Sequence, residues 1–166
     1  NLKMQLNDLN GALADFDKAI ELQPDKPENY YNRGLTKINL KDFKGAEEDF
    51  TKAIETNPQF YNAYNNRGLL RSEKLNNPSG ALSDFETCIK LYPSNPEVYY
   101  NRGNVKLNKG ELNEAINDYN QAIQLKPDYA PAYYNRGLAF LNLKNGQQAC
   151  NSWKTAFGLG LTRAAD

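Results

Sequence analysis

Four arginines stand at matched places in a recurring pentapeptide. YYNRG occupies residues 30–34, 99–103 and 133–137, and YNNRG occupies 64–68, so the arginines are Arg33, Arg67, Arg102 and Arg136. Aspartates keep a similar beat at Asp15, Asp49, Asp84 and Asp118, and Ser152 takes the fifth place in that series. A guanidinium beside a carboxylate can hold it bidentately as part of the framework, or can capture an acidic ligand. Little else in the chain suggests chemistry. There is no histidine, which removes Ser-His-Asp and Cys-His catalysis and histidine metal sites. Cys88 and Cys150 do not make a disulfide framework. The sequence holds no phosphate-binding glycine loop, CxxC pair or nucleophile elbow. Its acidic residues are scattered among lysines with no catalytic pair. The reading is a non-enzymatic chain without cofactor or metal.

Composition narrows the partners. The 166 residues carry 20 Lys+Arg against 20 Asp+Glu, so nothing in the charge favours nucleic acid or an anionic membrane. No apolar run approaches the roughly 20 residues that span a bilayer. No signal peptide is visible, and the chain begins at Asn1 without an initiator Met, which leaves the compartment open.

The pentapeptide belongs to a longer period. Its first Tyr falls at 30, 64, 99 and 133, with spacings of 34, 35 and 34. Ala recurs at 12, 46, 81, 115 and 149, followed four residues later by Phe16, Phe50, Phe85, Tyr119 and Trp153. A small residue and then an apolar one follow: Ala19-Ile20, Ala53-Ile54, Cys88-Ile89, Ala122-Ile123 and Ala156-Phe157. Pro closes four units, at 24, 58, 93 and 127. A period of this length predicts a stacked array with no single globular core. Each unit reads as two helices, for example Pro27 to about Leu40 and Phe43 to about Thr56, with helical apolar spacing in both and no strand signal. The closing Pro ends the second helix, and Pro27, Pro96 and Pro131 suit the first turn of the next one. A mid-helix Gly costs about 1 kcal/mol relative to Ala, so Gly34, Gly68, Gly103 and Gly137 are expected to allow two helix backbones to approach closely. Cys88, in the small-residue column, is expected to be buried and inert. Gly158-Leu159-Gly160 reads as a helix terminus.

These columns resemble the tetratricopeptide repeat, whose signature runs W-x2-L-G-x2-Y, then A-x3-F, then P, over 34 residues. The matches are Tyr30, Gly34, Ala46, Phe50, Pro58; Tyr64, Gly68, Ala81, Phe85, Pro93; Tyr99, Gly103, Ala115, Tyr119, Pro127; and Tyr133, Gly137, Ala149, Trp153. The resemblance implies an all-α, right-handed α-solenoid of stacked antiparallel helix pairs, about four and a half repeats long. The expected divisions are an incomplete first repeat at 1–26, repeats at 27–60, 61–95, 96–129 and 130–163, and a tail at 164–166. In the first, Leu6 and Leu9 to Pro24 align but the start of the first helix is missing, which suggests further residues upstream. Leu75–Ser79 carries a one-residue insertion, and Leu161 stands where Pro is expected. The family's Leu before Gly is Arg in all four units.

Arg beside Gly points near the helix seam, where it needs a carboxylate. Pairing within units gives Arg33–Asp49, Arg67–Asp84 and Arg102–Asp118 but sets Arg136 against Ser152. Pairing between units gives Asp15–Arg33, Asp49–Arg67, Asp84–Arg102 and Asp118–Arg136, and leaves no orphan. The second scheme is preferred on that ground. The alternative has the four arginines lining a groove for an acidic partner.

In the family, the first helices line a concave face that binds peptide segments. Mapped by column, the groove residues are Tyr31, Asn32, Leu35, Ile38 and Asn39; Asn62, Asn65, Asn66, Leu69 and Glu73; Glu97, Tyr100, Asn101, Asn104 and Asn108; and Tyr134, Asn135, Leu138 and Asn142. Asn offers both donor and acceptor to a peptide backbone, and Tyr supplies flat amphipathic area. Tyr31, Asn65, Tyr100 and Tyr134 stand where carboxylate-clamping adaptors of this family carry Lys, so a carboxylate clamp is not expected. The resemblance therefore implies a non-catalytic scaffold for a protein or peptide ligand. The alternative is the targeting or assembly region of a larger enzyme or secretion component. The exposed end of the incomplete first repeat is a candidate surface for self-association.

Overall fold

The computed structural model describes residues 8–161, and the described residues form helices and turns with no strand. Leu6 and the tail at 164–166 lie outside them. The helices are α1 (Leu9–Leu22), α2 (Pro27–Asn39), α3 (Phe43–Thr56), α4 (Tyr61–Glu73), α5 (Pro78–Leu91), α6 (Pro96–Asn108), α7 (Leu112–Leu125), α8 (Ala130–Asn142) and α9 (Gly146–Gly158). They fall into two compact units, divided between Leu91 and Tyr92.

Local chemistry sets the helix ends. Pro27, Pro78 and Pro96 open their helices, and Pro131 is second in α8, where a missing N–H breaks no hydrogen bond. The Oδ1 atoms of Asp8, Asp42, Asn77 and Asn145 accept from the N–H of Gly11, Gly45, Gly80 and Gln148, satisfying a donor of the first turn. Gln23, Asn57 and Lys126 leave the helical region (ψ 73°, 99° and 90°), as the residue before a proline must. Between paired helices the chain turns through Lys41, Asn76, Gly110 or Lys144, each with positive φ. The turn from Glu73 to Pro78 holds one residue more than the turns from Asn39 to Phe43 and from Asn108 to Leu112, so the extra residue is absorbed outside the helices.

In the first unit α2 packs on α3, α4 on α5, α1 on α2 and α3 on α4. In the second, α6 packs on α7, α8 on α9 and α7 on α8. Each unit is a stack of antiparallel helix pairs. The small-residue columns are sealed inside: Ala12, Ala46 and Ala81 in the first unit and Ala115 and Ala149 in the second have no exposed surface. Phe50, Phe85 and Tyr119 are likewise fully buried.

The glycine column shows what lies against it. A Cβ on Gly34 would stand 2.9 Å from Phe50 Cε1, one on Gly68 2.8 Å from Phe85 Cε1, and one on Gly103 2.8 Å from Tyr119 Cε1. At Gly137 it would strike the Trp153 indole. The glycine admits an aromatic ring from the second helix of its own hairpin.

Cys88 has no exposed surface and Cys150 is exposed. Burial pushes the Cys88 thiol up to about 12, with the Asp84 charge adding to it. Because the thiolate is the nucleophile, iodoacetamide at pH 8 is expected to alkylate only Cys150 in the folded protein and both cysteines in urea. Equal native rates at the two sites would contradict this burial.

Candidate functional site

The pentapeptide presents two faces, because residues two apart on a helix lie about 200° round its axis. The first Tyr, the Arg and the Gly face the hairpin's own second helix. The second Tyr and the Asn make the other face, on which the second Tyr still meets the aromatic column of that helix.

On the Arg face, Arg33 donates to Asp49 through Nε (3.0 Å) and Nη2 (2.6 Å). Arg67 does the same to Asp84 (3.0 and 2.7 Å), and Arg102 to Asp118 (3.0 and 2.6 Å). Every pair lies within one repeat. The preferred inter-repeat pairings Asp15–Arg33, Asp49–Arg67 and Asp118–Arg136 are therefore corrected, and of the fourth, Asp84–Arg102, each member is paired within its own unit. The reason is steric: the Asp49 Cβ lies 3.3 Å from where a Gly34 Cβ would stand, so the hairpin's own aspartate is already beside the Arg-Gly step. Each buried carboxylate also takes a second cation four residues after the arginine. These are Lys37 on Asp49 (2.9 Å), Arg71 on Asp84 (2.9 Å) and Lys106 on Asp118 (2.7 Å). Asp49 holds the Arg33 guanidinium above its ordinary pKa, and Asp17 adds to this.

A tie between repeats does exist, through a column that the sequence reading passed over. Arg33 Nη1 donates to Asp17 (2.7 Å), Arg67 Nη1 to Thr51 (2.9 Å) and Arg136 Nη1 to Asn120 (2.8 Å). Each acceptor lies 16 residues upstream, on the second helix of the preceding repeat. Each guanidinium also lies over the first Tyr of its pentapeptide, at 5.9 Å for Arg33–Tyr30, 5.7 Å for Arg67–Tyr64, 5.8 Å for Arg102–Tyr99 and 5.1 Å for Arg136–Tyr133. With three arginines locked in this way, an all-arginine groove for an acidic partner is ruled out.

The other face holds the Tyr and Asn columns. In the first unit the Tyr31 ring sits 5.8 Å from Phe50 and 5.2 Å from Phe60. Its hydroxyl accepts from Asn66 Nδ2 at 2.7 Å. Burial raises the Tyr31 pKa, and the Asn66 bond partly offsets the rise. Leu35 and Ile38, expected to line the groove, pack against Ala46, Phe50 and Leu70. Asn32 and Leu69 are partly buried, and Asn39, Asn62 and Glu73 are exposed. Asn65 stands in the Tyr column, and its Oδ1 is buried without a hydrogen-bond partner.

In the second unit Tyr100 lies between Tyr119 (6.1 Å) and Tyr129 (5.2 Å). Asn135 Nδ2 donates to the Tyr100 hydroxyl at 3.1 Å and to Asn104 Oδ1 at 2.8 Å, and Tyr119 donates its O–H to the same Asn104 oxygen at 3.0 Å. Burial raises the Tyr119 pKa above the tyrosine range and pushes Tyr129 up to about 12. Tyr134 stacks beside Trp153 and Phe157 at 6.4 and 6.5 Å, and its carbonyl accepts from the Trp153 indole N–H. Asn101 and Leu138 are partly buried, while Glu97, Asn108 and Asn142 are exposed. Tyr31, Asn66, Tyr100, Asn104 and Asn135 are thus joined within their units. The exposed asparagines at the helix ends are not part of these networks. The Asn104–Tyr119 bond had a sequence signal. This repeat alone has Tyr in place of Phe50 or Phe85 and Asn in place of Leu35 or Leu69, so the two departures form one hydrogen bond.

Among the described residues no group of His, Cys, Asp and Glu could hold a metal ion. No helix among them is long and apolar enough to cross a membrane. Stacked helix pairs without a strand among the described residues define an α-solenoid. The comparisons agree: models described as "TPR repeat" match residues 1–40 and 103–144, and others described as "Tetratricopeptide repeat" match 27–60, 61–95 and 85–117. The chain belongs to the tetratricopeptide-repeat family, whose members bind peptide or protein partners and are generally non-catalytic.

Solved structures share the fold. A crystal structure of MamA superposes with a TM-score of 0.89 at 24% identity, covering 95% of this chain and 91% of that one. MamA from residue 41 to its end, from Desulfovibrio magneticus RS-1, gives 0.88 at 19%, covering 98% and 92%. YrrB, described as a TPR protein with an unusual peptide-binding site, gives 0.83 at 27%, covering 96% and 82%. No curated protein sequence matches the chain.

Proposed function

We propose that the Tyr–Asn face binds a peptide segment of a partner protein in each unit, through α2 and α4 in the first and α6 and α8 in the second. One observation carries the reading. In the second unit, Asn104 and Asn135 are held in fixed orientation by Tyr100 and Tyr119, and each keeps half of its amide uncommitted. Asn104 retains its Nδ2 donors and Asn135 its Oδ1 acceptor. A donor and an acceptor already oriented suit a peptide N–H and C=O with little further ordering cost. In the first unit Asn66 is held in the same way by Tyr31 and keeps its Oδ1 free for a ligand. The description of YrrB, a structural relative, supports this reading.

Peptides selected from a displayed random library on the wild-type protein should bind the Asn104→Ala/Asn135→Ala variant at least about tenfold more weakly, or about 1.4 kcal/mol. Its far-ultraviolet circular dichroism should be unchanged. Equal affinity for the two proteins would remove the asparagine face as the binding site. Tyr100→Ala is a poorer probe, because that ring packs against Tyr119 and Tyr129.

A further inference from the structure

The last repeat keeps the arginine and loses everything that neutralises it elsewhere. In the three preceding pentapeptide repeats the guanidinium forks onto a buried aspartate. At the fourth, Ser152 takes the aspartate's place and is 1% exposed. Phe140 takes the place of Lys37, Arg71 and Lys106. Both members of the buried acid–base set are exchanged together, yet Arg136 stays.

Arg136 reaches Ser152 Oγ through Nε at 3.2 Å and Asn120 Oδ1 through Nη1 at 2.8 Å. Both partners are neutral. Its Nη2, the atom that holds a carboxylate oxygen at 2.6–2.7 Å in Arg33, Arg67 and Arg102, makes no hydrogen bond among the described residues. Arg136 is also the half-buried guanidinium of the set that burial pulls below the ordinary arginine value, with no carboxylate to oppose it. Serine is shorter than aspartate by the carboxylate carbon and one oxygen, and its single oxygen meets only Nε of the fork. The Asn120 end of the guanidinium is open to solvent, since Asn120 is exposed.

We infer that Arg136, with Ser152 and Asn120, forms a carboxylate-binding site between α7, α8 and α9, in which a ligand's carboxylate takes the place filled by a built-in aspartate in the other repeats. A carboxylate on Nη2 supplies the charge-assisted contact that aspartate makes in the other repeats and gives the half-buried guanidinium a counterion. Ser152 Oγ–H can donate to the same group. The site lies on the Arg face, two residues round the helix from Tyr134, so it stands apart from the asparagine face and does not depend on peptide binding there.

The four arginines of one molecule serve as one another's controls. Sodium formate is titrated at constant ionic strength into the protein while the arginine Nε–H resonances are followed by NMR. The Arg136 resonance should shift saturably, and those of Arg33, Arg67 and Arg102, already holding aspartate, should stay in place. A Ser152→Asp variant should lose the Arg136 response and melt at a higher temperature than the wild type without formate. Should that variant not fold, Ser152→Ala keeps the test open, because without the Oγ–H donor the Arg136 resonance should need more formate to reach half its shift than in the wild type, and an unchanged midpoint would remove Ser152 from the site. N-acetyl-glutamate amide distinguishes the sources. Binding at least as tight as formate assigns the carboxylate to a partner's acidic side chain, whereas response to formate alone assigns it to a free small acid. No shift at Arg136, shifts of all four arginines alike, or a chloride effect equal to that of formate would each overturn the assignment.

Discussion

Asp84→Ala is expected to destabilise the protein by about 3 kcal/mol, the lower end of the range for removing one partner of a buried ion pair. Asp84 is 2% exposed and faces two guanidinium groups, Arg67 Nη2 at 2.7 Å and Arg71 Nη1 at 2.9 Å. Removing the carboxylate leaves two like charges beside each other with no acid between them. The effect stops short of the top of the range because Arg71 keeps Glu47 at 2.6 Å and Arg67 keeps the Thr51 hydroxyl. Arg67→Met should be milder, since Arg71 still neutralises Asp84. Urea melts of the two variants give the order directly, and a larger loss for Arg67→Met would mean that the carboxylate is not the hub.

Gly103→Leu is the second large effect. The Cβ alone would stand 2.8 Å from Tyr119 Cε1, closer than carbon atoms pack. Tyr119 cannot yield easily. Its ring has no exposed surface and its hydroxyl is tied to Asn104. Overpacking of a filled core typically costs about 1–3 kcal/mol, and the Leu side chain adds three carbons to the clash. The expected loss is about 3 kcal/mol or more, offset slightly by the better helix propensity of Leu, worth under about 1 kcal/mol. A second signature separates this account from generic damage: the variant should weaken the Asn104–Asn135 network, so selected peptides should bind less well even at temperatures where it is folded. Wild-type stability for Gly103→Leu would mean that Tyr119 does not lie over this glycine.

The fold was legible in the sequence because the features that build it are local or repeated. The Ala12, Phe16 and Tyr30 columns each mark a packing position once per period, and proline and capping residues mark the helix ends at Pro27, Asp42 and Asn77. The partners of the arginines were not legible. Spacing gives the phase of Arg67 relative to both Asp49 and Asp84, 18 residues before it and 17 after, but not which lies closer in space. That is decided by the tight seam at Gly68, where the aromatic column packs. Ser152 was misread for the same reason: the assumption that every arginine must have an acid pointed away from the repeat in which one does not. The Tyr31–Asn66 and Tyr100–Asn135 bonds join residues 35 apart, and no pattern within a single repeat reveals them. The paired changes at Asn104 and Tyr119 did carry a signal, visible only when departures from the columns are compared with each other.

The claim on which the rest depends is that Arg33, Arg67 and Arg102 are each spent on the aspartate of their own hairpin, which leaves the Tyr–Asn face to a ligand. Two double-mutant cycles test it together. Arg67→Met is combined with Asp84→Ala and, separately, with Asp49→Ala, and the coupling energies are taken from urea unfolding. The account predicts at least about 1.5 kcal/mol between Arg67 and Asp84 and no more than about 0.5 kcal/mol between Arg67 and Asp49. Coupling of Arg67 to Asp49 in place of Asp84 would contradict it.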